Sequence, residues 1–282
     1  MYNLITTINK NENGFHLGEI LDCITYNSKL SFIKKIVIFF DIENIDESYY
    51  KEIENIENMG EKISNILSSF TILLKNEKIV FKIVKNHPTF QDIFVYTNKF
   101  VDTHWILCNS DIFYPVENLN AFNYILKNID FEKKMICLTR YDYVLNDIYH
   151  HTKYYDGYIF YYKNSKLKTQ HTDGFSIDTW IYKTPIKLDN YDIKLGILTC
   201  DCIMNCLLSK HYELINPCFD LISIHKHVNH HKKWSNNQLN NAKMLYDLGY
   251  RKKNVKFSKL IKNKKKIILE KKNHNNIKNL RL

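Results

Sequence analysis

The chain has 282 residues, 45% of them apolar, which is enough to bury a large core; a disordered or peptide-sized class is excluded and a globular protein is expected. Its formal charge of +10 would point to an anionic partner if it were spread over the fold, but residues 251–282 hold thirteen Lys/Arg against the single acid Glu270, and that local +12 leaves residues 1–250 at −2. No stretch approaches eighteen uncharged apolar residues and the N-terminal MYNLITTINKNENG has no continuous apolar run, so the expectation is a cytoplasmic protein with neither membrane span nor signal peptide.

From the N-terminus, Leu17–Tyr26 carries apolar residues at 17, 20, 21 and 24, one face of a helix. Lys35–Phe40 is an apolar run of strand length ending on Asp41, with Glu43 and Asn44 just beyond. Gly60–Leu74 repeats apolar residues at 63, 66, 67, 70 and 74, again a helical period, and Ile79–Val84 reads as the next buried strand. Thr103–Cys108 is a third strand that runs directly into Asn109-Ser110-Asp111. A carboxylate at the end of a buried strand is costly unless it is paired, hydrogen-bonded or bound to a metal, so Asp111 either caps the next turn or holds a cation.

Leu119–Ile129 has a helical pattern, and Met135–Thr139 is a strand followed by Arg140-Tyr141-Asp142. Arg140 suits a bidentate contact to phosphate, or an ion pair with Asp142 or Asp111. After the apolar run Gly157–Tyr162, the segment from Asp173 to Asp178 puts two acids ahead of Trp180 and Tyr182, aromatics that either stack on a sugar or fill a core. Leu195-Gly-Ile-Leu-Thr-Cys-Asp201 brings a carboxylate to the start of the helix Cys202–Lys210, where the dipole favours its ionised form and an N-cap role is equally open. His225 and His227, two apart on a strand, share a face and could ligate a metal or donate to phosphate.

Apolar spacing persists through Leu239–Leu248 and then dissolves into Lys/Asn-rich sequence. Residues 1–250 therefore read as one α/β domain and residues 251–282 as a basic tail, mobile or weakly helical, solvated by default and suited to anionic surfaces if it meets any. Strands alternating with helices predict a mostly parallel central sheet flanked by helices, with ligands at the strand carboxyl ends. Seven cysteines without a CxxC pair make a disulfide framework unexpected, and Cys108, Cys137 and Cys218 read as buried thiols.

Taken in order, several segments resemble a family of glycosyltransferases with a GT-A, nucleotide-diphospho-sugar type of fold. They are Glu19 and Asn27 on the first helix, the strand Ile36–Phe40, P-T-F-x-D at 88–92, N-S-D-I at 109–112 and C-L-T-R-Y-D at 137–142. S-x-D-x-W-I at 176–181, L-G-x-x-x-C-D at 195–201, N-P at 216–217 and H-x-H at 225–227 complete the pattern, which spans residues 17–234. The resemblance implies a Rossmann-related GT-A sheet and transfer of a sugar from a UDP- or GDP-linked donor to an acceptor hydroxyl. It implies that Asn109, Ser110, Asp111, Arg140 and Trp180 meet the donor, and that Asp111 with His225 or His227 holds Mn²⁺ or Mg²⁺ at the diphosphate. Asp178 or Asp201 then faces the acceptor as general base. Where that pattern runs Gly-Cys-Asp-Asn, this chain has Thr199-Cys200-Asp201-Cys202, so binding without turnover is a competing expectation.

A metal-dependent nuclease of the PIN/NYN kind is the other competitor. Asp41, Glu43 and Asp111 at strand ends would hold two Mg²⁺ ions, and the basic tail would supply nucleic-acid affinity. That reading leaves every segment after Asp111 unused.

Overall fold

The computed structural model describes residues 1–9, 14–41, 70–142, 161–163, 166–168, 177–187, 190–218, 220–226 and 256–257, with scattered helical positions between 236 and 247. In chain order the strands are β1 (Tyr2–Asn9), β2 (Ile33–Asp41), β3 (Ile79–Val84), β4 (His104–Cys108), β5 (Ile112–Phe113), β6 (Lys134–Thr139), β7 (Tyr141–Asp142), β8 (Tyr161–Lys163), β9 (Lys166–Lys168), β10 (Ile177–Lys183), β11 (Glu213–Asn216), β12 (Ile224–His225) and β13 (Lys256–Phe257). The helices are α1 (Gly14–Ser28), α2 (Thr71–Leu74), α3 (Phe90–Thr97), α4 (Leu119–Asn128) and α5 (Cys200–Leu208).

Eight strands form one sheet in the order β13-β11-β6-β10-β4-β1-β2-β3, and every neighbouring pair is parallel except the two made by β10. The chain is thus an α/β protein with a mostly parallel central sheet, as the alternation of elements predicts. A second sheet, β5-β12-β7, carries the chain that leaves β4 and β6, and β8 with β9 forms a hairpin.

Both faces of the large sheet are covered, which is why its strands read as continuous apolar runs. Alternation along each strand divides them between two cores. Ile36, Ile38 and Phe40 of β2, Ile106 of β4 and Ile136 and Leu138 of β6 pack with Ile20 and Ile24 of α1 and Phe122 and Ile125 of α4. Val37 and Phe39, Trp105 and Leu107, and Met135 and Cys137 take the other face, against Ile93 and Phe94 of α3 and Ile203 and Leu207 of α5. Each such side chain contributes about 1.5–3 kcal/mol when fully buried, so the two layers together dominate the stability of the fold.

The strands expected at 35–40, 79–84, 103–108 and 135–139 and the helices expected at 17–26, 119–129 and 202–210 are all present, with ends shifted by at most three residues. Of the helix expected at 60–74, residues 60–69 lie outside the described residues and 71–74 form α2; of the strand expected at 157–162, only 161 and 162 are described, in β8. Besides the short strands β5, β7, β9 and β13, four longer elements were not anticipated. Polar Asn3, Thr6 and Thr7 break the apolar run of β1, and β11 is too short for a period. The segment 177–183 was read for its site residues although it forms a central strand. The P-T-F-x-D block at 88–92 is a capping box that starts α3: Thr89 Oγ1 accepts the Asp92 N–H at 3.1 Å and Asp92 Oδ2 accepts the Thr89 N–H at 2.9 Å.

β13 lies within the stretch read as a basic tail and adds two residues to the sheet edge beside β11. The other residues of 251–282 lie outside the described residues. None of the seven cysteines is in a disulfide, and Cys108, Cys137 and Cys218 are buried as expected. Among the described residues no helix is long and apolar enough to cross a membrane.

Candidate functional site

From β1 the chain steps to β2 and β3 on one side and then returns to place β4 on the other. In an open α/β sheet the crevice beyond the strand carboxyl ends at such a reversal is where ligands bind. β4 ends there, and Asn109, Ser110 and Asp111 follow it directly. β10 runs antiparallel, so its first residues, rather than its last, arrive at the same edge: Thr179 registers with Cys108 of β4 and Ile177 with Thr139 of β6. That direction brings Asp178 beside Asn109 and Arg140, residues 69 and 38 positions away.

Asp111 is buried and faces buried His225, whose Nε2 lies 3.0 Å from Asp111 Oδ2. The two are joined through the backbone as well. His225 pairs with Ile112 across β12 and β5, and the Lys226 N–H donates to Asp111 O at 2.8 Å. Lys226 Nζ in turn holds Asp22 Oδ2 of α1 at 2.5 Å. Two donor atoms 3.0 Å apart match adjacent positions on a six-coordinate ion with bonds of about 2.1 Å, once Nε2 has given up its proton. Among the described residues no three His, Cys, Asp or Glu side chains gather around one point, so further ligands would have to come from a bound phosphate or water. His227 lies outside the described residues.

Asp178 is a buried carboxylate with both oxygens engaged. Oδ1 accepts Asn109 Nδ2 at 3.0 Å, Oδ2 accepts Arg140 Nη1 at 2.5 Å, and the Asp178 carbonyl accepts the Asn109 N–H at 3.2 Å. Arg140 therefore pairs with Asp178, a partner that the sequence reading did not name. Asp201 stands in the first turn of α5 and is not its cap; the N-cap is Thr199, which adopts a left-handed backbone with φ 68°. Asp201 Oδ2 accepts the Ile177 N–H at 3.3 Å. Burial raises its proton affinity above the ordinary carboxylate range and the nearby Asp178 charge raises it further, while N–H groups of Cys202 and Ile177 pull the other way.

Trp180 does not line this edge. Its ring is buried in the core, edge-on to Phe90 at 5.1 Å, and its indole N–H donates to Asn205 Oδ1 at 3.0 Å. A ring so enclosed, with its only donor satisfied, has no face for a sugar. Ser110 is half-buried beside Asn109. The signals missed altogether are Asp22, Lys226 and the buried amide of Asn118, while Asn27 was read only as a marker of the first helix and not for its hydrogen bonds.

Asp41, required beside Asp111 by a nuclease reading, belongs to another cluster. β1 separates β2 from β4, so the two strands lie roughly 10 Å apart, and β2 runs on about three residues beyond the end of β4. Asp41 Oδ2 accepts His87 Nδ1 at 2.8 Å, and His87 Nε2 donates to Leu195 O at 2.6 Å. With both ring nitrogens donating, the imidazolium is the favoured form: the Asp41 hydrogen bond raises the His87 pKa above its ordinary 6.5 against the opposing effect of burial. This clamp ties the end of β2 to the 195–201 loop that delivers Asp201. The folded state holds the proton more tightly than the unfolded one, so the clamp's stabilisation is complete below about pH 6.5 and is lost as pH rises through the raised value. The melting temperature should fall over that window, and His87→Gln should flatten the slope; an unchanged slope would remove His87 from the account.

No protein-family model matches the sequence, and no curated protein matches it significantly. Many solved structures match the fold. One is S. aureus TarS 1-349, at 13% identity over 81% of this chain and 58% of that one, with a TM-score of 0.37. Its complex with UDP-GlcNAc matches at 11% identity over 81% and 56%, with a TM-score of 0.36, so this chain spans less than two thirds of either TarS chain. HddC from Yersinia pseudotuberculosis matches at 13% identity over 81% of this chain and 90% of that one, with a TM-score of 0.33.

Proposed function

We propose that the chain is a glycosyltransferase that moves a sugar from a nucleotide-sugar donor to an acceptor hydroxyl with the help of Mn²⁺ or Mg²⁺. The observation that carries this reading is the Asp111–His225 pair, 3.0 Å apart, at the strand-order reversal of a mostly parallel sheet. Asp111 and His225 would hold the cation, and when bound it supplies charge neutralisation at the departing diphosphate. Asn109 and Ser110 border the same crevice and would meet the donor.

Of the two acids left open by sequence, Asp201 is the better general base. Asp178 has both oxygens committed to Asn109 and Arg140, whereas Asp201 combines a raised proton affinity with a place in a helix first turn. A base must be ionised to accept the acceptor's proton yet basic enough to keep it, and a carboxylate moved upward meets both demands better than an ordinary one. Asp178 instead acts as the brace between β4 and β6 that keeps Asn109 and Arg140 in place.

A thermal-shift screen of UDP, GDP, CMP and their sugars, each with and without Mn²⁺, tests the reading. One nucleotide at a hundred times its dissociation constant should add about 2.7 kcal/mol, roughly 5–10 °C, only with Mn²⁺ and not in Asp111→Ala. Stabilisation by RNA oligomers and by no nucleotide would overturn the proposal in favour of the nuclease. Nucleotide binding without hydrolysis or transfer would leave a binding protein of the same fold.

A further inference from the structure

The Asp111–His225 pair is bracketed by two buried asparagines that each close a ring with the backbone. Asn27, in the last turn of α1, donates Nδ2 to Ile112 O at 2.8 Å and accepts the Tyr114 N–H at 3.1 Å. Asn118 donates Nδ2 to Ile222 O at 2.6 Å and accepts the Ile222 N–H at 3.1 Å. Both residues are buried, so these bonds have no water to exchange with. Each amide pairs with the backbone on two sides, as a neighbouring strand would, and fixes that stretch of chain in direction as well as distance.

The placement of the two rings is specific. Asn27 grips the two residues that flank Phe113, immediately after Asp111; Asn118 grips the chain three residues before His225. The rungs Ile224–Phe113 and His225–Ile112 join the two gripped segments. Asn118 occupies the N-cap position of α4, where an asparagine ordinarily caps its own helix, yet its side chain makes no cap bond and is given to Ile222. The amides tie α1 and α4, two helices rooted in the main core, to a small sheet that carries His225 and begins one residue after Asp111.

Resting on the function proposed above, we infer that Asn27 and Asn118 are positioning residues that set the separation of Asp111 and His225 for a cation–diphosphate. Groups that orient metal ligands through hydrogen bonds typically change metal affinity 10–100-fold when removed. Asn98 supplies an internal control. It makes the same two-sided ring, with Nδ2 to Ile186 O at 2.8 Å and the Ile186 N–H to Oδ1 at 2.7 Å, but at the opposite end of β4 from Asp111.

The test compares Asn27→Ala, Asn118→Ala and Asn98→Ala for melting temperature and, by titration calorimetry, for binding of Mn²⁺ alone and of Mn²⁺ with UDP or GDP. All three should melt earlier by similar amounts, but only the first two should bind Mn²⁺ with nucleotide about 10–100-fold more weakly, with Asn98→Ala within about twofold of the parent. Unchanged affinity in Asn27→Ala and Asn118→Ala, or an equal loss in Asn98→Ala, would overturn the inference. If Asn118→Ala does not fold, Asn118→Ser, which is uncharged, suits a helix N-cap and is too short to close the ring with both Ile222 groups, carries the same comparison. A parent protein that binds neither Mn²⁺ nor either nucleotide would sink the cation site itself, an outcome distinct from a parent that binds and clamp variants that bind equally well.

Discussion

Asp201→Asn should raise the melting temperature near pH 8 by a few degrees and, on the function proposed above, reduce glycosyl transfer about 10²–10⁴-fold, the usual contribution of a general base. Both effects have one cause. Asp201 is enclosed at the start of α5 with the Asp178 charge close by, and both influences penalise its ionised form. Its folded-state proton affinity is raised relative to the unfolded chain, so the folded state loses relative stability as pH climbs through the raised value and the group ionises. Asparagine is nearly isosteric and retains an oxygen for the Ile177 N–H, but cannot ionise, so it removes that loss. The gain should narrow as pH falls toward the ordinary carboxylate range, where the aspartic acid is itself neutral. Melting curves at several pH values, paired with transfer assays, check both halves. A lower melting temperature with retained turnover would show that Asp201 only secures the helix start and that the base lies elsewhere.

Arg140→Ala should cost about 3–5 kcal/mol, the usual loss when one partner of a largely buried ion pair is removed, and lower the melting temperature by roughly 6–20 °C. The side chains of Arg140 and Asp178 are 17% and 11% exposed, so solvent screens their pair little. Without the guanidinium, Asp178 keeps only its Asn109 bonds, and a negative charge is left between the ends of β4 and β6. The double variant Arg140→Ala/Asp178→Asn should recover much of the loss, because no charge then remains buried without its partner. Denaturant unfolding of the four proteins in this cycle measures the coupling. If Arg140→Ala costs the same in the Asp178→Asn background, Arg140 acts through packing and the ionic brace is refuted.

Local pattern and long-range placement were unequally legible. Apolar runs located β2, β3, β4 and β6, and helical periods located α1, α4 and α5, because a strand or helix buried on both sides of a sheet must be apolar within a few consecutive residues. The same property concealed strand order. β2 offers Ile36, Ile38 and Phe40 to one core and Val37 and Phe39 to the other, so its neighbours are selected by shape complementarity, which no composition records. β10 shows the consequence: its aromatics invited a sugar-binding reading, yet Trp180 and Tyr182 fill the core and only Asp178 reaches the edge.

By itself the sequence determined the α/β class and the acids Asp111, Asp178 and Asp201 as residues to interrogate, since a carboxylate beside an apolar run stands out against the cost of burying it. Only the tertiary structure decided their partners. Asp111 meets His225 across 114 positions, Asp178 meets Arg140 across 38, and Asp41 is taken by His87. Those pairings depend on the antiparallel direction of β10 and on β12 lying beside β5, consequences of how the whole chain closes its two cores, whereas sequence spacing carries information only about residues a few positions apart.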